Sequence, residues 1–258
     1  MRLYMKYFSM HLKSQMQYKA SFFFTTMGQF LVAFATFLSV SFLFNRFDSV
    51  GGFTYEEVLI CFAVMIMASA LSELVGRGFD RFPMLLGNGG FDRALVRPRN
   101  IIFQIVASQM EFSRLGRLLQ AVLVMAYALP RSGIDWTWDK VLTLVLMVVC
   151  GAILFFGLFV IYAAISFFTV EGLEFLHILI YGGREHGRLP FGVYGDGILR
   201  FLTFVVPLAL IQYYPLLYLV GREDGIQFAL APVVSLLFIL PCYVLFRFGL
   251  QHYKSTGS

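Results

Sequence analysis

The sequence predicts an all-α, polytopic membrane protein with six transmembrane helices and an N-terminal interfacial helix. Three observations carry this. Hydrophobic residues make up 59% of the 258 residues and charged ones only 14%, against about 25% charged in a soluble domain, and the mean hydropathy is +0.77. The apolar residues fall in long runs, and roughly 20 of them in a row cross about 30 Å of hydrocarbon. The basic residues are divided unequally between alternate connections, as the positive-inside rule requires. The net charge of +5 then reflects loops on one side of the membrane rather than affinity for nucleic acid.

Residues 1–20 come first. On a helix Arg2, Lys6, Ser9, Lys13 and Gln17 fall within an arc of about 80°, and Tyr4, Tyr7, Phe8 and Tyr18 lie opposite. This predicts a helix lying flat on the cytoplasmic surface with its basic face toward lipid headgroups. The first apolar run, Ser21–Phe44, is long enough to span and shows no small-x-small cleavage site after it, so it is expected to be retained. Five further spans are expected at 57–75, 114–130, 140–169, 199–220 and 227–246. The third opens on Arg114 and Arg117, which are expected to snorkel to the interface. The fourth is long for one crossing and is expected to tilt or project. Residues 21–246 thus read as one six-span bundle within a single transmembrane domain covering 1–258, with 247–258 as a cytoplasmic tail.

Orientation follows from Lys and Arg. With the N-terminus inside, the inner segments hold Arg2, Lys6, Lys13 and Lys19; then Arg77, Arg81, Arg93, Arg97, Arg99, Arg114 and Arg117; then Arg184, Arg188 and Arg200; then Arg247 and Lys254. The outer side keeps Arg46, Arg131, Lys140 and Arg222. Both termini and the loops 76–113 and 171–198 are therefore expected to be cytoplasmic. Trp136 and Trp138 fall in an outer loop, where an aromatic belt is expected.

Catalytic signatures are missing from the sequence. No GxxxxGK[ST] phosphate loop, HExxH or GxSxG occurs. Cys61, Cys150 and Cys242 lie far apart inside apolar runs and read as small buried hydrophobes. His11, His177, His186 and His252 are scattered, with no metal-ligand spacing. Carboxylates fall at span ends (Glu56, Glu57, Glu73), not at the midplane, which disfavours an ion-coupled carrier. Within the fifth run, Thr203, Pro207, Gln212, Tyr213, Tyr214 and Pro215 are the polar and kinking residues. They serve either helix packing or the lining of a path.

Four stretches carry a resemblance. They are Phe91-Asp92-Arg93-Ala94-Leu95-Val96-Arg97-Pro98-Arg99-Asn100 with Phe103-Gln104; Arg114-Leu115-Gly116-Arg117-Leu118; Ser166-Phe167-Phe168-Thr169-Val170-Glu171; and Arg200–Pro207 running on to Tyr213-Tyr214-Pro215. In order and spacing they resemble the permease subunits of type-2 ABC transporters, in a bacterial six-span subfamily. Phe168 stands where Trp is usual, and Leu189–Tyr194 departs from the usual Tyr-Pro. The resemblance implies a bacterial inner-membrane location and a separate ABC ATPase subunit that binds ATP and Mg. It also implies a second permease, identical or paralogous, and export of hydrophobic or drug-like compounds. No cofactor is expected in this chain, and its partners are expected to include membrane lipids but not nucleic acid. A short cytoplasmic coupling helix between the second and third spans is implied as well. Phe91, Asp92, Arg93, Leu95, Val96, Arg97 and Pro98 are its candidates, with Phe91, Leu95 and Val96 as apolar knob and Asp92, Arg93 and Arg97 as rim. Gly76–Leu86, with Arg77, Asp80 and Arg81, is a second candidate. Thr203, Pro207, Gln212, Tyr213 and Tyr214 are the path candidates. The rival readings are a channel or scaffold subunit and, from another class, a membrane-embedded lipid enzyme.

Overall fold

A computed structural model of the chain describes residues 2–169 and 174–254. The described residues are helical throughout, apart from short connections and one isolated bridge between Val50 and Phe53. Helix α1 is Arg2–Gln15 and α2 is Lys19–Phe44, and Tyr18 between them leaves the helical region (φ −106°, ψ 74°). Then come α3 (Tyr55–Asp80), α4 (Phe82–Gly87), α5 (Gly90–Leu95), α6 (Ile101–Ser108), α7 (Leu115–Ala128) and α8 (Trp138–Ser166). The chain continues through α9 (Glu174–His177), α10 (Gly183–His186), α11 (Asp196–Phe204), α12 (Tyr213–Val220), α13 (Ile226–Ser235) and α14 (Ile239–His252).

Among the described residues, five stretches are long and apolar enough to cross a membrane: Leu3–Phe44, Tyr55–Gly87, Phe112–Arg131, Trp138–Ser166 and Ile226–His252. A sixth requires counting Asp196–Phe204 and Leu208–Val220 together, and these are bent by 90°. The fifth run, expected as a span over 199–220 that Pro207 could kink, is thus broken into two helices at that proline. Pro207 has no N–H to give and ends α11 with its backbone at ψ 46°. The last stretch also exceeds its expected limit, because α13 and α14 carry the helix on to His252. The first residues of the expected tail are thus helical.

Local chemistry explains the boundaries. Thr54 starts α3 with a reciprocal cap: its side chain accepts from Glu57 N–H, and Glu57 accepts from Thr54 N–H at 2.9 Å. Asn100 caps α6 by accepting from Phe103 N–H at 3.2 Å. Trp138–Ser166 runs unbroken for 29 residues, about 43 Å at 1.5 Å per residue. That exceeds the hydrocarbon thickness, as the sequence suggested.

Between apolar helices in lipid there is little hydrophobic drive, so small residues that permit close approach decide the packing. Gly116 of α7 lies directly against the Thr26 carbonyl of α2, and Gly78 of α3 against the Ile105 carbonyl of α6. A methyl group has no room at either place. Helix α3 is the most enclosed element, with Val58 to Val64 almost wholly buried, and it packs on both α7 and α8. The three cysteines are buried free thiols.

The second basic loop departs from its expected place. Of 171–198, residues 171–173 lie outside the described ones. Tyr181 and Arg184 stay at the end of the bundle that carries α4–α6, against Asp80 and Glu73, but the chain from Gly187 onward does not. Gly187 packs against Met65, midway along α3, Phe191 is fully buried, and Val193 lies over Gly51 in the α2–α3 connection. The segment 187–193 is thus inserted into the bundle.

Candidate functional site

Irregular backbone inside a membrane persists only where protein satisfies its polar groups. Gln212 does this for the inserted segment. Its side chain is fully buried. Its amide nitrogen donates to the carbonyls of Gly187 (3.1 Å) and Leu189 (2.8 Å), and its oxygen accepts from Phe191 N–H (3.2 Å). Gln212, one of the path candidates, thus spends its whole carboxamide on backbone groups of the inserted segment. Thr203 and Tyr214 are half-buried and joined by their hydroxyls at 3.2 Å across the bend at Pro207. Tyr213 is half-buried, with its ring edge-on to Phe53 and Tyr214.

At the end of the bundle carrying α4–α6, a charge network joins four parts of the chain. Its centre is Glu73, 2% exposed. One carboxylate oxygen meets Arg114 Nε at 2.7 Å, and the other meets Arg184 Nη1 at 2.8 Å and Arg117 Nη1 at 3.5 Å. Arg114 also reaches Gln29 of α2 (2.7 Å) and Glu111 (3.4 Å). Glu111 pairs with Arg77 at 2.7 Å, Arg77 with Asp80, and Asp80 accepts from the Tyr181 hydroxyl at 3.2 Å. Arg184 pairs with Glu185 at 3.1 Å, and Glu185 with Arg188. Burial, and then the charges of Asp80 and Glu73, push the Tyr181 phenol up to about 12. Arg114 and Arg117, expected to snorkel, both have a carboxylate partner within the bundle. Arg114 is buried, and both guanidiniums are paired with Glu73, as buried charges must be. The sequence shows Glu73, Arg114 and Arg117 as charges at span ends on one side of the membrane; their common depth is the signal that could have paired them.

The segment between α3 and α7 is fastened beside this network. Phe82, Phe91, Phe167, Phe246 and Tyr253 form an edge-on aromatic cluster, with Phe82–Phe91 centroids at 5.0 Å, Phe82–Phe167 at 5.1 Å and Phe91–Tyr253 at 5.1 Å. Tyr253 also donates to Asp92 at 3.1 Å. Gln104 donates to the carbonyls of Ala94 (3.0 Å) and Arg99 (3.1 Å), pinning the turn that follows α5. Phe103, next to it, is edge-on to Tyr4 and Tyr7 of α1.

The seven coupling candidates therefore divide. Phe91 cannot serve as part of an outward knob, because it has no exposed surface and anchors the segment instead. Asp92 is half-buried beneath Tyr253. Arg93, Leu95, Val96, Arg97 and Pro98 stand exposed, Val96 at 83% against 39% for Leu95. In the alternative segment, Phe82 and Leu86 are buried and Met84 is exposed. The α1 aromatics meet Phe103 and, through Phe8, Phe112 (4.9 Å), so this face of α1 is covered by protein.

A family model described as ABC-2 family transporter protein matches residues 30–257. No curated protein and no solved structure matches the chain.

Proposed function

We infer the role of this chain from its family: it belongs to the ABC-2 transporters and is a permease subunit of an ABC transporter. We propose that it works with a separate ATPase that binds ATP and Mg, docking on the exposed turn Arg93–Pro98 from the cytoplasm. The observation that supports this is the division of that segment. Phe91 is sunk in the aromatic cluster while Leu95 and Val96 face outward between Arg93 and Arg97. A push on such a turn passes to α8 and α14 through Phe167 and Phe246 rather than dissipating in a loose loop. The sequence has no phosphate loop of its own.

The same reading pairs the chain with a second permease, identical or paralogous. It is placed in a bacterial inner membrane with both termini cytoplasmic, exporting hydrophobic or drug-like compounds. Thr203, Tyr213 and Tyr214, beside the bend at Pro207, are the groups proposed to line the path. Gln212 holds the wall behind them. ATP-driven closure of the ATPase pair biases two permease states, and only differential contacts with those states can do so.

The test is co-purification with the ATPase from the native host. Burying an apolar side chain at a docking groove contributes about 1.5–3 kcal/mol, so Leu95→Asp should loosen ATPase association tenfold or more and abolish transport, with membrane insertion unchanged. Normal transport in Leu95→Asp and in Val96→Asp, with loss on changing Met84, would move the docking role to the earlier segment.

A further inference from the structure

A cavity of about 530 Å³ lies in the corner where α1 turns into α2, against the end of α3. Its size falls within the roughly 300–1,000 Å³ of small-molecule sites, and each of its walls contributes polar groups. Ser14 comes from α1, Ser21 from the first turn of α2, Arg77 and Arg81 from the end of α3, and Gln109 and Glu111 from the connection between α6 and α7. The charges there are unevenly committed. Glu111 is held by Arg77 at 2.7 Å, by Arg114 at 3.4 Å and by the Ser113 hydroxyl at 3.3 Å. Arg77 is answered by Glu111 and Asp80. Arg81 is exposed and, among the described residues, has no carboxylate partner. Ser14 and Ser21 are exposed as well, and their hydroxyls, like the carboxamide of half-buried Gln109, have no partner among the described residues. The cavity thus presents one free guanidinium and several donors open to a ligand.

We propose that this cavity holds the headgroup of an anionic phospholipid, a phosphodiester bearing an uncharged polyol such as glycerol. A guanidinium matches phosphate oxygens through paired N–H groups, so Arg81 takes the phosphate. Ser14, Ser21 and Gln109 exchange hydrogen bonds with the polyol hydroxyls. A choline headgroup finds no free carboxylate, since the only one in the lining, Glu111, is spent on two arginines. The adjoining surface is what brings the phosphate on a lipid rather than free. Phe24 stands three residues after Ser21, on the neighbouring face of α2 and about 4.5 Å further along it. It is 70% exposed, and Phe23 beside it is 58% exposed. A polar cavity followed along the span by bare aromatic rings has the profile of an amphiphile, headgroup first and acyl chains after. Basic pockets at the cytoplasmic ends of transmembrane helices take such headgroups. The inference rests on the permease reading only in assigning this end to the cytoplasmic leaflet.

Native mass spectrometry of the full chain, released from detergent micelles, counts bound lipid. The titrants are dioleoyl phosphatidylglycerol, phosphatidylcholine with the same chains, and glycerol 3-phosphate as the headgroup alone. Phosphatidylglycerol is expected to bind about tenfold more tightly than phosphatidylcholine, the scale of one charge-assisted contact, and glycerol 3-phosphate is expected not to saturate over the same range. Arg81→Gln removes the charge and Ser21→Trp fills the cavity, and each should shrink the preference to about twofold or less. Using two variants guards against one that fails to fold. Lys13→Gln removes the same charge from α1 outside the cavity and should leave the preference unchanged. The proposal is overturned if the two lipids bind equally, or if both cavity variants keep the native preference. It is also overturned if Lys13→Gln lowers the preference as much as Arg81→Gln, which would make the effect one of general surface charge. Glycerol 3-phosphate binding as tightly as the lipid would overturn it too, in favour of a soluble phosphate ester. Each of these results leaves the permease role standing, because co-purification with the ATPase tests that separately.

Discussion

Glu73 is the residue whose loss should disturb the structure most for the least change in volume. Glu73→Gln keeps the shape and removes the charge that three guanidiniums share: Arg114 at 2.7 Å, Arg184 at 2.8 Å and Arg117 at 3.5 Å. Removing one partner of a buried ion pair costs about 3–5 kcal/mol because the other charge stays buried. Two arginines keep a second carboxylate, Arg114 through Glu111 and Arg184 through Glu185, which places the expected loss near the lower end, about 3 kcal/mol. Removing an arginine instead should cost less, since Glu73 retains the other two. Equilibrium unfolding in mixed micelles by denaturing detergent measures both. The expected order is Glu73→Gln clearly more damaging than Arg184→Gln or Arg117→Gln. A cycle with Glu73→Gln/Arg114→Gln should give a coupling above 0.5 kcal/mol, as residues in one network do. The reasoning fails if Glu73→Gln lies within about 0.5 kcal/mol of the native chain, or if Arg184→Gln is the worse of the two.

Other perturbations follow from the same geometry. Gln212→Leu preserves volume but orphans three backbone groups, each costing about 1–3 kcal/mol, so residues 187–193 should become open to cysteine labelling that the native chain resists; unchanged protection refutes the role. Gly116→Ala forces α7 away from the Thr26 carbonyl and should destabilise by about 1–3 kcal/mol, measured by the same detergent titration. The Tyr181 phenol is held neutral by burial and by Asp80, with its pKa raised to about 12. Its contribution should be full below pH 10 and fade as pH rises toward 12, and Tyr181→Phe should flatten that alkaline part of the stability profile. A cysteine at Arg93 should resist an impermeant reagent added outside intact cells; labelling there contradicts a cytoplasmic loop.

Much of the architecture was legible because lipid imposes a coarse code. Four apolar runs read from the sequence became helices close to their expected limits, since a helix is what a run of about 20 apolar residues must form to satisfy its backbone. Phe91–Asn100 and Gln104 also stood out, and they form one pinned turn. What stayed hidden depended on distant partners. Leu189-Pro190-Phe191-Gly192 reads as a loop by its glycine and proline, and nothing local announces that Gln212, more than twenty residues on, holds it inside the bundle. Glu73 and Arg114 were each visible as charges at the ends of apolar runs. Both lie on the side assigned by the basic residues, and opposite charges at one depth are the signal that could have paired them.

The two polar devices divide the labour of the fold by depth. At the charged end, Glu73 ties α3 to the start of α7 and to Arg184 just before the inserted segment. Deeper in the bundle, Gln212 ties that same segment to the start of α12. Residues 184–191 are therefore held by side chains from different helices, with irregular backbone from Gly187 onward. Regular helices resist bending because each residue is bonded to the next turn; residues 187–191 lie outside any α-helix, and Gln212 bonds three of their backbone groups. The rearrangement proposed for transport would need a place where the bundle can change shape without breaking a long helix. The irregular backbone at 187–191 and the bend at Pro207 are two such places, and Gln212 bonds directly to the first and follows the second by five residues. Gln212→Leu should therefore alter transport more than Gly116→Ala does at equal loss of stability, because it loosens that joint rather than the wall between α2 and α7. Equal transport by the two variants, matched for stability, would separate the joint from the mechanism.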